Sequence, residues 1–157
     1  MNMINIQRRL LLGSMAGIAF ASTGLVLAQQ SKLIEVWKDP SCGCCKDWIS
    51  HVEKSGFKVT VHETGNNAVR AQLGLPKKLG SCHTAKVGGY VVEGHVPAAD
   101  VRRMLAEKPA IRGLSAPGMP LGSPGMEMPD GRVQSYTVEL VKEDGSTSTF
   151  RRVEGDR

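Results

Sequence analysis

Three of the chain's four cysteines fall within four consecutive positions: Cys42, Cys44 and Cys45, in the string DPSCGCCKDW from Asp39 to Trp48. The fourth, Cys82, stands far along the chain and is followed by His83. Thiolates are strong nucleophiles and soft metal donors, so a cluster this tight points to redox or metal chemistry. Structural bridging explains it poorly. A bond between Cys44 and Cys45 closes a strained ring, and one between Cys42 and Cys44 closes a loop too short to remove much unfolded-state entropy. A single long-range bridge to Cys82 leaves two thiols over.

Two chemistries remain. Cys42 and Cys45 form a C-x-x-C pair, and a helix starting there offers unpaired amides and a dipole that favour thiolate. That pair suits a thiol-disulfide oxidoreductase. Such a motif uses two sulfurs, however, and an adjacent third thiol captures the mixed disulfide and scrambles exchange. Metal ligation uses the extra sulfurs without that penalty. Zinc prefers two C-x-x-C pairs and the second is missing; an iron–sulfur cluster also uses four cysteines. Cu(I) fits best, because several low-coordinate ions share a compact sulfur basket.

Other soft or nitrogen donors are placed suggestively. Met119, Met126 and Met128 lie in a Gly/Pro-rich stretch rather than on a helix face, and thioether remains a ligand where thiols oxidise. His83 adjoins Cys82 and is a candidate to ligate or to hydrogen-bond a sulfur; otherwise it reads as a surface residue starting a strand. His51, His62 and His95 have no partner legible from their positions. Asp39 and Lys46 read as solvated charges, and Trp48 as core.

The elements that must position these groups follow from periodicity. LIEVWK (Leu33 to Lys38) alternates and reads as a strand broken by Asp39-Pro40-Ser41. A helix is expected from the cysteines through Trp48, Ile49 and Val52 to Ser55-Gly56. FKVTVHE (Phe57 to Glu63) predicts a second strand. Asn66 or Asn67 caps a short helix closed by Gly74 and Pro76. HTAKVGGYVVEGHV predicts two strands around Gly88-Gly89, a hairpin turn pair. Pro97 to Asp100 opens another helix carrying Val101, Met104 and Leu105. IRGLSAPGMPLGSPGMEMPDG is so rich in Gly and Pro that no regular structure is expected in it. VQSYTVELVKEDGSTSTFRRV reads as a hairpin around Asp144-Gly145, added at the sheet edge.

The N-terminus predicts the compartment. Arg8-Arg9 precede LLLGSMAGIAFASTGLVLAQQ, an uncharged stretch ending in small residues at Val26-Leu27-Ala28. It reads as a signal peptide over 1–28, cleaved after Ala28, leaving 29–157 as one domain without stable membrane insertion. The arginine pair resembles a twin-arginine signal, from whose pattern Gln7 and Leu11 depart. Lys and Arg number 20 against 15 Asp and Glu, and the excess falls by two without Arg8 and Arg9. No basic stripe with interleaved aromatics is visible, so nucleic-acid binding is not expected.

The order β-α-β-α-β-β-α, with cysteines where the first strand meets the first helix, resembles the thioredoxin fold. In that fold the loop before the third strand lies against the helix-start cysteines. Here that loop is Leu79 to Thr84, so the resemblance places Cys82 opposite Cys42, Cys44 and Cys45. The strings CGCC, GSCHT and SAPGMPLGSPGME, behind a signal peptide, resemble the CopG-type periplasmic copper-resistance proteins of Gram-negative bacteria. The likeness runs from Leu33 to Phe150. It implies an α/β, thioredoxin-like domain whose C-x-C-C and distant cysteine hold copper in a multinuclear thiolate cluster. It further implies Cu(I)/Cu(II) interconversion, as a copper oxidoreductase, or transfer of copper to an efflux system or of electrons to a partner. Carried over, the ligands are Cys42, Cys44, Cys45 and Cys82.

Overall fold

A seven-stranded mixed sheet carries the molecule, and its first strand shows why. β1 (Leu33–Lys38) buries Ile34 and Val36 completely on one side, as its β-branched alternation requires. Lys38 points the same way and is also fully buried, its ammonium donating to Glu63 at 3.2 Å. The computed structural model describes residues 32–156; the expected signal peptide and its cleavage site lie outside them.

Helix α1 (Gly43–Lys54) follows, then β2 (Lys58–His62), parallel to β1. Cys45, Trp48 and Val52, spaced three and four apart, form the buried stripe of α1. A short α2 (Asn67–Gln72) and a 3₁₀ turn (Lys77–Leu79) lead to the hairpin of β3 (His83–Val87) and β4 (Tyr90–Gly94). Gly88 and Gly89 both sit at positive φ, 55° and 89°, as a two-residue turn of this hand demands. α3 (Ala98–Glu107) then returns the chain to β5 (Gly113–Ala116), parallel to β4, and β6 (Tyr136–Val141) and β7 (Thr147–Val153) complete the sheet. The strand order is β2-β1-β3-β4-β5-β6-β7. The fold class is α/β, and the C-terminal hairpin extends one edge of the sheet, as expected.

One expectation fails. Gly113–Ala116 lies inside the Gly/Pro-rich tract read as irregular, yet it is a strand paired on both sides and buried throughout. Propensity misleads here because close approach decides. A Cβ on Gly113 would come within 1.8 Å of the Val91 carbonyl oxygen, so only glycine lets β5 lie against β4. Beyond Ala116, the segment 117–135 contains no helix or strand, as expected as far as Gly131, and the C-terminal hairpin starts at Tyr136 rather than Val133.

The sheet is covered on both faces. Trp48 and Val52 of α1, with Val101 and Met104 of α3, pack on Ile34, Val36, Ala85, Val92 and Leu114. Val91, next to Val92 but facing oppositely, joins Leu75, Leu79 and Val141 in a smaller cluster. Arg151 of β7 binds both carboxylate oxygens of Asp100 on α3, at 2.8 and 2.7 Å, which ties the added hairpin to the helical layer. Among the described residues no helix is long and apolar enough to cross a membrane. The close packing of β5 predicts that Gly113→Ala lowers unfolding free energy by about 3 kcal/mol through overpacking, measured by urea denaturation, whereas Gly43→Ala, with open space at its Cβ, leaves stability nearly unchanged.

Candidate metal centre

The register of two strands builds the site. Lys38, the last residue of β1, pairs with His83, the first of β3. The chain leaving β1 toward α1 therefore passes beside the residue preceding β3, which is Cys82. The four sulfurs meet there. Cys42 Sγ lies 3.6 Å from Cys44 Sγ, and Cys44 Sγ lies 3.7 Å from Cys82 Sγ, 38 residues away. All four Sγ atoms fall within 4.8 Å of one another, a grouping that could hold a metal ion. Cys42 and Cys45 are joined in a disulfide, while Cys44 and Cys82 are free and half-buried. The sequence reading expected four thiol donors; this form of the protein offers two, with the other pair held as C-x-x-C disulfide.

A buried polar network holds Cys82 in place. The Ser81 N–H donates to Glu93 Oε1 at 2.7 Å, and the Thr84 hydroxyl donates to Glu93 Oε2 at 2.5 Å. Asn66 Nδ2 reaches both the Ser81 carbonyl and the Thr84 hydroxyl at 3.2 Å. The Arg70 guanidinium stands 3.4 Å from Glu93. Glu93 is wholly buried, and burial pushes its carboxyl up to about 7 despite these donors and Arg70. Ser81 and Thr84, which bracket the Cys82-His83 pair, are thus fastened to one carboxylate.

Two imidazoles complete the pocket. His95 Nε2 lies 3.1 Å from Cys82 Sγ, and His83 Nδ1 lies 3.5 Å from it. His83 is not at the surface: it is fully buried, tilted against Trp48 at 4.4 Å and edge-on to His95 at 5.1 Å. Its Nε2 has no hydrogen-bond partner. Burial, with His95 beside it, drives His83 down to about 3, and burial also lowers His95, so both rings are neutral at pH 7. Burial and the neighbouring Cys44 push the Cys82 thiol up to about 12. Trp48 fixes the helix to this wall by donating its indole N–H to the Val96 carbonyl at 2.9 Å. Of the other histidines, His51 accepts the Ala98 N–H at the start of α3 at 3.1 Å and His62 stacks on Trp37.

The segment 117–135 closes over the pocket. Gly118 meets the Ser81 hydroxyl through its carbonyl, and the Pro124 carbonyl accepts a bond from His95 Nδ1 at 2.8 Å. Gly125 lies directly on α1: at φ +84°, its Cβ position would fall 2.6 Å from the Trp48 nitrogen and 2.7 Å from the Cys44 carbonyl oxygen. Met119 is 53% exposed, and Met126 and Met128 are half-buried. The polar contacts of Met126 and Met128 are main-chain bonds that shape the loop, to Gly122, Ser123 and Gly131.

Known proteins share this fold. Two solved structures, titled copper resistance protein CopG, form 1 and form 2, are 48% and 47% identical to this chain. Each aligns with 78% of it and 98% of its own length, at a TM-score of 0.73. This chain belongs to the CopG family. A family model described as a protein of unknown function, DUF411, matches residues 79–126, the stretch from Cys82 to the lid. No curated protein matches.

Within this CopG chain the structure brings together Cys42, Cys44, Cys45, Cys82 and His83, all singled out from the sequence. It adds His95, which sequence reasoning left without a partner. A signal for His95 was present. The Gly88-Gly89 turn sets the β3–β4 register, with Thr84 opposite Glu93, and two steps further residue 82 stands opposite residue 95. Burial of the Cys82 thiol makes two outcomes expected. Alkylation by iodoacetamide, followed by peptide mass mapping, stays slow at Cys82 up to about pH 10, whereas an unperturbed thiol titrates near 8.5. The unfolded chain then releases that proton first, so protein with Cys42–Cys45 closed loses stability as pH rises from about 8.5 toward 12, and Cys82→Ser lessens that loss.

Proposed function

We propose that this chain is a copper-binding protein of copper resistance that holds several Cu(I) ions on Cys42, Cys44, Cys45 and Cys82. The observation that carries this reading is the meeting of four sulfurs, from segments 38 residues apart, within 4.8 Å. The titles of the similar structures, which name copper resistance, support the cargo. The order and direction of the first four strands support a thioredoxin-like core. His83, Met119, Met126 and Met128 are proposed as lesser ligands. Export by the 1–28 segment would place the protein in the periplasm.

The disulfide enters this reading as one end of a redox step. Two Cu(II) ions each take one electron from the Cys42 and Cys45 thiolates; two Cu(I) and the Cys42–Cys45 disulfide result. Sulfur's preference for Cu(I) sets that direction. Cys44 and Cys82 remain as thiols after the step, so product copper keeps soft donors. Two electrons from a reductant reopen the disulfide, and copper passes to an efflux system or another acceptor. The lid limits water and oxygen at the sulfurs.

The closed Cys42–Cys45 pair also favours a second reading, a thiol-disulfide oxidoreductase. One double variant separates the two. Cys44→Ser with Cys82→Ser keeps the C-x-x-C pair, so an oxidoreductase retains activity toward a disulfide substrate. A copper protein loses most of its bound ions, counted by native and inductively coupled plasma mass spectrometry on protein purified from periplasm with and without added copper. Copper content unchanged by the double substitution sinks the thiolate site.

A further inference from the structure

We propose that His51 is a pH-sensitive clasp between α1 and α3, closed while its ring is neutral and opened when the ring takes up a proton. It sits in the last turn of α1, at the opposite end of that helix from the cysteines.

The two helices cap each other. α3 starts after Pro97, whose side chain offers no acceptor to the free amides of the first turn. The Pro97 carbonyl takes the Asp100 and Val101 N–H groups, at 2.9 and 3.1 Å, which leaves the Ala98 N–H to find its acceptor elsewhere. α1 supplies it: Ala98 donates to His51 Nε2 at 3.1 Å. In the other direction, Arg102 Nη1 of α3 donates to the carbonyl of Ser55, the residue that closes α1, at 2.9 Å. Trp48, about one turn before His51, adds its indole bond to the Val96 carbonyl, just ahead of Pro97. The end of α1 and the start of α3 are therefore tied by side chains rather than by apolar packing alone.

One protonation state of His51 makes this bond. Nε2 accepts through its lone pair, so the ring proton lies on Nδ1 and the ring is neutral. A second proton, on Nε2, sets two donors face to face and puts a cation at the positive end of the α3 dipole. Burial holds the half-buried His51 below the ordinary histidine value of 6.5. Glu127, from the loop over the pocket, opposes that shift, while Arg102 of α3 and Lys54 of α1 add to it. The unfolded chain thus takes up this proton at a higher pH than the folded one. The stability that the clasp contributes is complete above about 6.5 and is lost as pH falls from there through the folded value.

The opening has a direction within the fold. α1 carries Cys44 and Cys45 in its first turn and packs on the sheet beside α3. Freeing its far end from α3 loosens the helix that positions those sulfurs, in mildly acidic medium and not in neutral medium.

The test compares the full mature chain, with Cys42–Cys45 closed, with His51→Gln and His51→Ala. Glutamine keeps an acceptor and does not titrate, whereas alanine removes it. Nuclear magnetic resonance follows the His51 ring and the Ala98 amide between about pH 7.5 and 4.5. In wild type both should move with one midpoint below 6.5. Across that range the first-turn amides of α3 should come to exchange about fivefold faster than in His51→Gln at the same pH, the loss expected for one helix cap. Urea denaturation should show the same: the folded-to-unfolded ratio of wild type falls about fivefold relative to His51→Gln. His83, His95 and Glu93 titrate in both proteins and cancel in that comparison. His51→Ala should show the faster exchange already at neutral pH; should it fail to fold, the wild-type and glutamine pair still decides. An Ala98 amide that stays fixed while His51 titrates, a His51 midpoint at or above 6.5, or a His51→Gln protein that loses stability with falling pH as wild type does, overturns the inference.

Discussion

The pairing of Lys38 with His83 across β1 and β3 is the contact on which the rest of this molecule depends. It joins the end of one strand to the start of another, and each is flanked by cysteine. The loop out of β1 carries Cys42 to the start of α1, and the approach to β3 carries Cys82. Register in a sheet is set by which side chains reach the core, and a slip of one residue turns every side chain over. Ile34 and Val36 on β1 and Ala85 and Val87 on β3 are all buried, which holds the alignment. A hydrophobic preference far from the sulfurs thereby decides how far apart they stand.

Desolvation governs the chemistry of the pocket that results. It raises Glu93 and Cys82 and lowers His83 and His95, in each case favouring the neutral form. A pocket that resists charge is poorly suited to free thiolates and well suited to a cation that neutralises them. Binding metal then releases protons, and the gain in sulfur–metal bonding offsets the unfavourable ionisation. The Glu93 network supplies the rigidity, since Ser81 before Cys82 and Thr84 two residues after it both donate to that carboxylate. The loop over the pocket is held close: Gly125 touches the backbone of α1 so closely that no side chain fits between.

Much of this was legible in the residues. β1, α1, the Gly88-Gly89 hairpin and the C-terminal hairpin follow from alternation, a 3.6-residue stripe and turn chemistry, all local signals. The crowding of Cys42, Cys44 and Cys45 announced the site. β5 was hidden because its pairing depends on the missing side chain of Gly113 against Val91, a fact about space rather than propensity. His95 was hidden because a lone histidine after a strand carries no local pattern; only the hairpin register sets it opposite Cys82.

The amino-acid string by itself determined donor type: four sulfurs, three of them within four positions at a helix start. That much is chemical identity and short-range spacing, which need no fold to be read. Only the tertiary structure decided that His95 and a buried His83 share the sulfur of Cys82, that Glu93 anchors the loop, and that Pro124 and Gly125 lie against the pocket. Those are contacts between segments far apart along the chain, and their distances are set by sheet register and close packing, which no single segment encodes.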